Sequence, residues 1–106
     1  MSEVIDRLLV ALNAHDVELF VASYAEDATI ENGHDALIAR GHADLRAKYG
    51  PMFEQFPDLR IECRNRVEVG EFVVQEELVS GRGEPTRHVA VYLVREGRIA
   101  RERLLL

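Results

Sequence analysis

Cysteine is almost absent from this sequence, because Cys63 is the only one among 106 residues. An internal disulfide is therefore excluded, and a lone thiol suits a reducing compartment, for which we expect the cytoplasm. The alternating pattern around Cys63 favours a small buried apolar residue over a nucleophile.

Long apolar runs are also missing. No segment approaches the ~20 residues that span a bilayer, and the amino-terminal end lacks a signal-peptide core, so we expect no membrane association.

Positive charge is in deficit as well. The chain has 13 lysines and arginines against 19 acidic residues, which gives a net charge of −6. Proteins that bind nucleic acid usually carry a basic patch. The arginines between positions 60 and 66 alternate with Glu62 and are followed by Glu68, as on a solvated strand face. We therefore expect no nucleic-acid partner.

The first half of the chain shows helical periodicity. Ser2 is a good N-cap for a first helix, and Asp16 is a good N-cap for a second, short one. The apolar face of the second helix includes Tyr24, and a short strand is predicted at 28–31. A surface loop is expected over 32–40. Gly41 opens a third helix that Pro51 should kink or split, since proline removes a backbone hydrogen bond.

From Leu59 onward the apolar period changes to two. Strands are predicted at 59–69, 72–80, 87–95 and 98–105, and short turns join them into an antiparallel meander. Three helices followed by a meander predict an α+β fold, and the length suits one domain over residues 1–106.

The third strand of this meander is apolar on both faces. One face carries His88, Ala90, Tyr92 and Val94, and the other carries the intervening apolar residues at 89, 91 and 93. Helices can cover only one face of so small a sheet. We therefore expect a homodimer formed through the other sheet face.

The string "ALNAHDVELFVASYAEDATIEN", together with the meander that ends in "VYLVREGRIARERLL", resembles the nuclear transport factor 2-like superfamily. The closest resemblance is to its SnoaL-like and ketosteroid isomerase-like group, and it extends over essentially the whole chain. It implies a cone-shaped, cystatin-like fold, in which helices and a curved, mostly antiparallel sheet enclose an apolar cavity. A small apolar ligand is the partner that such a cavity implies.

The same resemblance places the isomerase base on Asn32 and the two oxyanion donors on Leu8 and Ala90. None of these three side chains can perform the corresponding role, so ketosteroid isomerase activity is not expected. Asn32 remains a candidate hydrogen-bonding group of the pocket. The resemblance also implies pocket positions for Tyr49 and Tyr24, although both could instead fill a core and point their hydroxyls outward.

Candidate acids lie in the strand "FVVQEELVS". Alternation sends Glu76 to one face and Gln75 with Glu77 to the other, so at least one carboxylate points inward. A buried carboxylate is suited to proton transfer near neutral pH. The alternative is an ion pair with an arginine, and the candidates are Arg64, Arg66, Arg101 and Arg103.

His88 shares an inward face with Tyr92, and its ordinary pKa near 6.5 suits proton transfer. We therefore predict Glu77 (or Glu76) with His88 as the catalytic pair, and Tyr92 as a hydrogen-bonding pocket residue. An exposed position for His88 at the rim is the alternative.

His34, Asp35 and His42 lie near the expected pocket mouth, but no metal-ligand spacing accompanies them. Neither a metal nor another cofactor is expected. Two functions remain open at this point. One is an isomerase-, cyclase- or hydrolase-type enzyme that moves protons on an apolar oxygenated ligand. The other is a non-catalytic ligand-binding or dimeric assembly domain.

Overall fold

Three helices pack against one face of a curved six-stranded sheet. The computed structural model describes residues 3–106. The elements in chain order are α1 (Glu3–Asn13), α2 (Val17–Ala22), β1 (Tyr24–Asn32), β2 (Leu37–Arg40), α3 (Gly41–Gln55), β3 (Arg60–Val69), β4 (Phe72–Ser80), β5 (Thr86–Arg95) and β6 (Arg98–Leu105). The sheet order is β2-β1-β6-β5-β4-β3, and only the β1–β6 pair is parallel. The predicted α+β fold is confirmed.

The first two helices form where the apolar spacing predicts them. The stripe of α1 is buried at Val4, Ile5, Leu8 and Leu12. Asp16 caps α2, because its carboxylate accepts a 3.0 Å hydrogen bond from the backbone N–H of Leu19. The N-cap predicted at Ser2 lies outside the described residues.

Two local predictions were wrong, and one alternative of a third is excluded. The second helix ends at Ala22, so Tyr24 begins β1 instead of ending α2. The expected loop over 32–40 contains β2, which pairs with β1 after a turn in which Asp35 has a φ of 62°. Finally, the helix is not split at Pro51, because α3 continues through this residue; of the two predicted effects, only the split is excluded. Pro51 is exposed, so the helix gives up one backbone hydrogen bond without forcing the ring into the core.

The core lies between the helices and the inner face of the sheet. Its largest fully buried apolar side chains include Ile5, Phe20, Leu45 and Ile99. Cys63 is only half buried beside a bulge in β3, so the expectation of a buried residue was too strong. No helix in the described part of the chain is long and apolar enough to cross a membrane.

Candidate active site

A cavity of about 300 Å³ lies between the helices and the inner face of the sheet. Most of its wall is apolar, with leucines from α1, Phe20 from α2 and Met52 from α3. Its polar and charged lining residues are Tyr24, Lys48, Tyr49, Glu77, Arg82, His88, Tyr92 and Glu102. The volume falls at the lower end of the ~300–1,000 Å³ typical of small-molecule sites. It therefore suits a compact ligand.

Glu77 and His88 form a hydrogen-bonded pair on the cavity wall. They are direct cross-strand partners on β4 and β5, and alternation turns both toward the helices. Glu77 Oε1 lies 2.7 Å from His88 Nε2, and the side chains are only 2% and 8% exposed respectively. A carboxylate oxygen can only accept, so His88 donates from Nε2 to Glu77 Oε1. The second ring nitrogen, Nδ1, bonds to no described residue and is available to exchange a proton.

Two further donors reach the other carboxylate oxygen of Glu77. The Tyr92 hydroxyl donates to Oε2 at 2.7 Å, and the amide of Gln75 donates to the same oxygen at 2.5 Å. The amide orientation of Gln75 is fixed, because its oxygen accepts from Arg66 Nε at 3.0 Å. Arg66 Nη2 in turn lies 2.8 Å from Asp6 Oδ1. Donors to both oxygens hold the Glu77 carboxylate in position.

A second carboxyl group, Glu102, lines the same cavity and is 4% exposed. Its Oε1 accepts a 2.5 Å hydrogen bond from the hydroxyl of Tyr24. Burial raises the pKa of Glu102 to about 8, against the lowering effect of the Tyr24 hydrogen bond, and the charge of Glu77 adds to the rise. At neutral pH Glu102 is therefore mainly a neutral carboxylic acid. Because Tyr24 occupies Oε1, the proton resides on Oε2, which bonds to no described side chain.

Glu102 is not among the residues predicted to face the cavity, because a bulge in β6 breaks the period of two. Val94 pairs with Ile99, but Leu93 pairs with Arg101, so Ala100 is the extra residue. Glu102 consequently lies opposite inward-facing Tyr92 and shares the inner face with Ile99, three positions away. The available signal was weak. It consisted of one acid between two arginines, two residues before Leu104, which also lines the cavity.

The three tyrosines all reach the cavity wall. Burial is the main cause that raises the pKa of Tyr24, Tyr49 and Tyr92, and the negative charge of Glu102 acts in the same direction. All three therefore remain protonated donors at neutral pH. The hydroxyl of Tyr49 bonds to no described residue, and its ring packs against Phe20 with centroids 4.6 Å apart. That hydroxyl is available to a ligand.

Two residues assigned to the pocket by sequence lie elsewhere. Asn32 ends β1, and its side-chain oxygen accepts from the backbone N–H groups of His34 and Ala36 at 2.8 and 3.0 Å. It stabilises the β1–β2 turn and does not line the cavity. Glu76 faces the outer side of the sheet, where Arg87 and Asn65 donate to it. The alternative of an ion pair with an arginine therefore applies to Glu76. Its partner is Arg87, which is not one of the four arginines expected from the sequence.

The histidines near the predicted pocket mouth do not line the cavity. His42 Nε2 lies 2.8 Å from the carbonyl oxygen of Tyr24, while His34 and Asp35 are exposed in the β1–β2 turn. Asp35 pairs with Arg103 at 2.7 Å. Across residues 3–106, no group of three or more histidines, cysteines or acids is placed to hold a metal ion.

A family model for the SnoaL-like domain matches residues 5–102. The chain belongs to the SnoaL-like family. No curated protein matches it by sequence. This SnoaL-like domain also has the nuclear transport factor 2-like and ketosteroid isomerase-like fold of its structural neighbours, as the sequence resemblance predicts.

Solved structures similar to this SnoaL-like domain include a cystatin-fold protein from Novosphingobium aromaticivorans, with a TM-score of 0.90 and 25% identity over 98% of this chain and 96% of that one. A second is a ketosteroid isomerase-like fold protein from Catenulispora acidiphila in complex with trimethylamine (TM-score 0.79, 14% identity, 96% and 83% covered). A third is an LEH-like epoxide hydrolase from M. tuberculosis (TM-score 0.79, 20% identity, 96% and 78% covered). At these identities the last two similarities show the fold alone.

The cavity of this SnoaL-like domain contains a proton acceptor and a proton donor in different environments. His88 is held by Glu77 through Nε2, and its Nδ1 bonds to no described residue. Glu102, neutral at pH 7, can give one from Oε2. A histidine and a neutral carboxylic acid on one cavity wall are the kinds of group that general acid–base catalysis uses.

Proposed function

We propose that this protein is an enzyme that moves protons on a compact apolar ligand bearing a carbonyl or epoxide oxygen. The observation that carries the proposal is the Glu77–His88 hydrogen bond of 2.7 Å at the wall of a cavity that also contains Glu102. His88 takes a proton from a C–H group or a water molecule. Glu102 donates a proton to the ligand oxygen as negative charge develops there. Exchange with solvent resets both groups.

The pocket residues have distinct roles in this proposal. Glu77 orients His88 through the 2.7 Å hydrogen bond, as a carboxylate does for a catalytic imidazole. Tyr49 donates a hydrogen bond to the ligand, because its hydroxyl has no partner among the described residues. Tyr24 and Tyr92 position the two carboxyl groups through their 2.5 and 2.7 Å hydrogen bonds. No step draws on a metal or another cofactor.

Ligand binding is the first experiment. Thermal stabilisation is measured across a panel of steroids, polyketide-like aromatics, terpenoid epoxides and fatty acids. A ligand at about 100 times its dissociation constant adds roughly 2.7 kcal/mol of stability. Each ligand that binds is then tested for turnover. If ligands bind but no panel member is turned over, the proposal of an enzyme is contradicted. A non-catalytic ligand-binding domain is then supported.

Variants then test the mechanism. Glu77→Gln and His88→Gln should each lower kcat about 10²–10⁴-fold while the panel ligand still binds. Glu76→Gln is the matched control, because its carboxylate lies one residue away on the outer face, and it should leave kcat unchanged. The wild-type rate should fall as pH rises through about 8, because Glu102 loses its proton there. Equal activity of the Glu77, His88 and Glu76 variants would overturn the assignment.

We also propose a homodimer formed through the outer face of the sheet. Val67, Val69 and Phe72 are 58%, 66% and 47% exposed at one end of this face. Val74 and Val91 continue the apolar surface across β4 and β5. Contiguous apolar patches of this kind are unusual on monomers.

We also propose that the protein is located in a reducing compartment such as the cytoplasm, and the free, half-buried thiol of Cys63 supports this proposal.

A further inference from the structure

Two cationic side chains line the cavity and are otherwise exposed: Lys48 on α3 and Arg82 in the turn between β4 and β5. Met52 links them. It lies one helical turn after Lys48, on the same side of α3, and its sulfur is 3.5 Å from Arg82 Nη1. The two cations therefore lie near one another at the solvent-facing edge of the cavity, which we call the mouth.

Lys48 and Arg82 are the cations that line this cavity, and neither is neutralised by a described acidic side chain. Several exposed arginines, such as Arg46, Arg87 and Arg95, pair with a carboxylate, whereas others, such as Arg40 and Arg60, pair with none among the described residues. Within residues 3–106, neither Lys48 nor Arg82 forms a salt bridge, although the chain has 19 acidic residues. An acidic protein thus keeps two uncompensated positive charges at the edge of an apolar cavity.

The charge of Arg82 also reaches the inside of the cavity. Burial raises the pKa of the Tyr49 hydroxyl, and the charges of Glu102 and Glu77 add to the rise, but the Arg82 guanidinium opposes it. The tyrosine hydroxyl therefore lies within the field of the guanidinium. An anionic group at the mouth would meet this field together with that of Lys48.

We propose that the ligand of this cavity is an apolar carboxylic acid whose carboxylate binds Arg82 and Lys48 at the mouth while its apolar body fills the cavity. A guanidinium binds a carboxylate through two parallel N–H donors, and a lysine adds a mobile point charge. A monoanion suits a protein of net charge −6 better than a dianion, which the protein's field repels more strongly. The inference rests on the proposed function only in that the cavity binds a small molecule, and it needs no turnover.

Matched ligands with the same apolar chain test this directly. Octanoate, octanol and octylamine are titrated into the protein by calorimetry at low salt. Octanoate should bind at least about 10-fold more tightly than octanol, and octylamine more weakly than either. The preference for octanoate should shrink as salt is added, because the mouth is exposed to solvent.

The double variant Lys48→Gln/Arg82→Gln should abolish the preference for octanoate while octanol binds as before. Arg64→Gln/Arg95→Gln is the control, since it removes the same net charge from exposed cations that do not line the cavity. An unchanged preference in the mouth variant, or equal binding of octanoate and octanol to the wild type, would overturn this inference and leave the enzyme proposal standing. If none of the three probes binds, the proposal that this cavity binds a small apolar molecule is contradicted.

Discussion

At the scale of single residues, two tyrosines on the cavity wall differ in one hydrogen bond. Tyr92 donates to buried Glu77 at 2.7 Å, whereas the hydroxyl of Tyr49 bonds to no described residue. Tyr92→Phe should therefore lower the free energy of unfolding by about 1.5–3 kcal/mol, the usual value for a hydrogen bond to a charged group. Tyr49→Phe should cost less than ~0.5 kcal/mol. Urea unfolding of both variants measures the difference, and equal losses would contradict the assigned contacts.

The residue scale also shows how far sequence can predict this site. Unbroken alternation in β4 and β5 is sufficient to place Glu77, His88 and Tyr92 on one inner face. Glu102 could not be placed, because the extra residue at Ala100 reverses the alternation. Asn32 was misplaced for another reason. The family resemblance gives the position of Asn32 in the chain. It does not show that the side-chain oxygen accepts hydrogen bonds from the backbone N–H groups of the following turn.

At the scale of elements, the turn between β4 and β5 makes a close backbone contact. A Cβ on Gly81 would lie 1.9 Å from the carbonyl oxygen of Asp58, and Gly81 has a φ of +89°. Gly83, two residues later, has a φ of +94°, but a Cβ there would meet nothing within 4 Å. The two glycines share the same backbone requirement and differ in the space around them.

Gly83→Ala should therefore cost only the strain of the left-handed backbone, about 1–2 kcal/mol. Gly81→Ala adds a clash with backbone atoms and should cost at least ~2 kcal/mol more. Thermal and urea unfolding of the two variants provide the comparison. Similar costs would show that the turn is not packed against residues 58–59.

Elements also differ in how well sequence predicts them. The meander strands agree with prediction within one residue at each end, because alternating apolar residues and glycine-containing turns delimit them. The four-residue strand β2 lacks such a pattern, since its three apolar residues are consecutive instead of alternating, and only Ala39 is buried. Its pairing with β1 comes from the tertiary position of that strand and cannot be predicted from local spacing.

At the scale of the whole molecule, the outer sheet face is predicted to be a dimer interface. Val69 on this face and Val10 on α1 are almost equally exposed, at 66% and 68%. Val69→Asp should convert the dimer to a monomer, because it places a charge in the apolar interface. Val10→Asp is the control and should leave the dimer intact. Light scattering after gel filtration gives the mass, and a monomeric wild type would contradict the proposal.

The cavity is a property of the whole molecule and was not predictable in size. A chain of 106 residues buries roughly two-thirds of its surface, so core and pocket compete for the same apolar side chains. Family resemblance implies a cavity, but the distance of the helices from the sheet decides whether side chains fill it. Here about 300 Å³ remains open, with both carboxyl groups on its wall.

The central claim is that Glu102, on the wall of this cavity, is a neutral carboxylic acid at neutral pH. A carboxyl-carbon NMR titration of the ligand-free protein, with Glu102→Gln for assignment, tests it most directly. One glutamate resonance should titrate near pH 8 in the wild type and be missing from the Glu102→Gln spectrum. If every glutamate instead titrates close to the usual value of about 4.3, the cavity has no neutral carboxylic acid and the proposed proton donor is wrong.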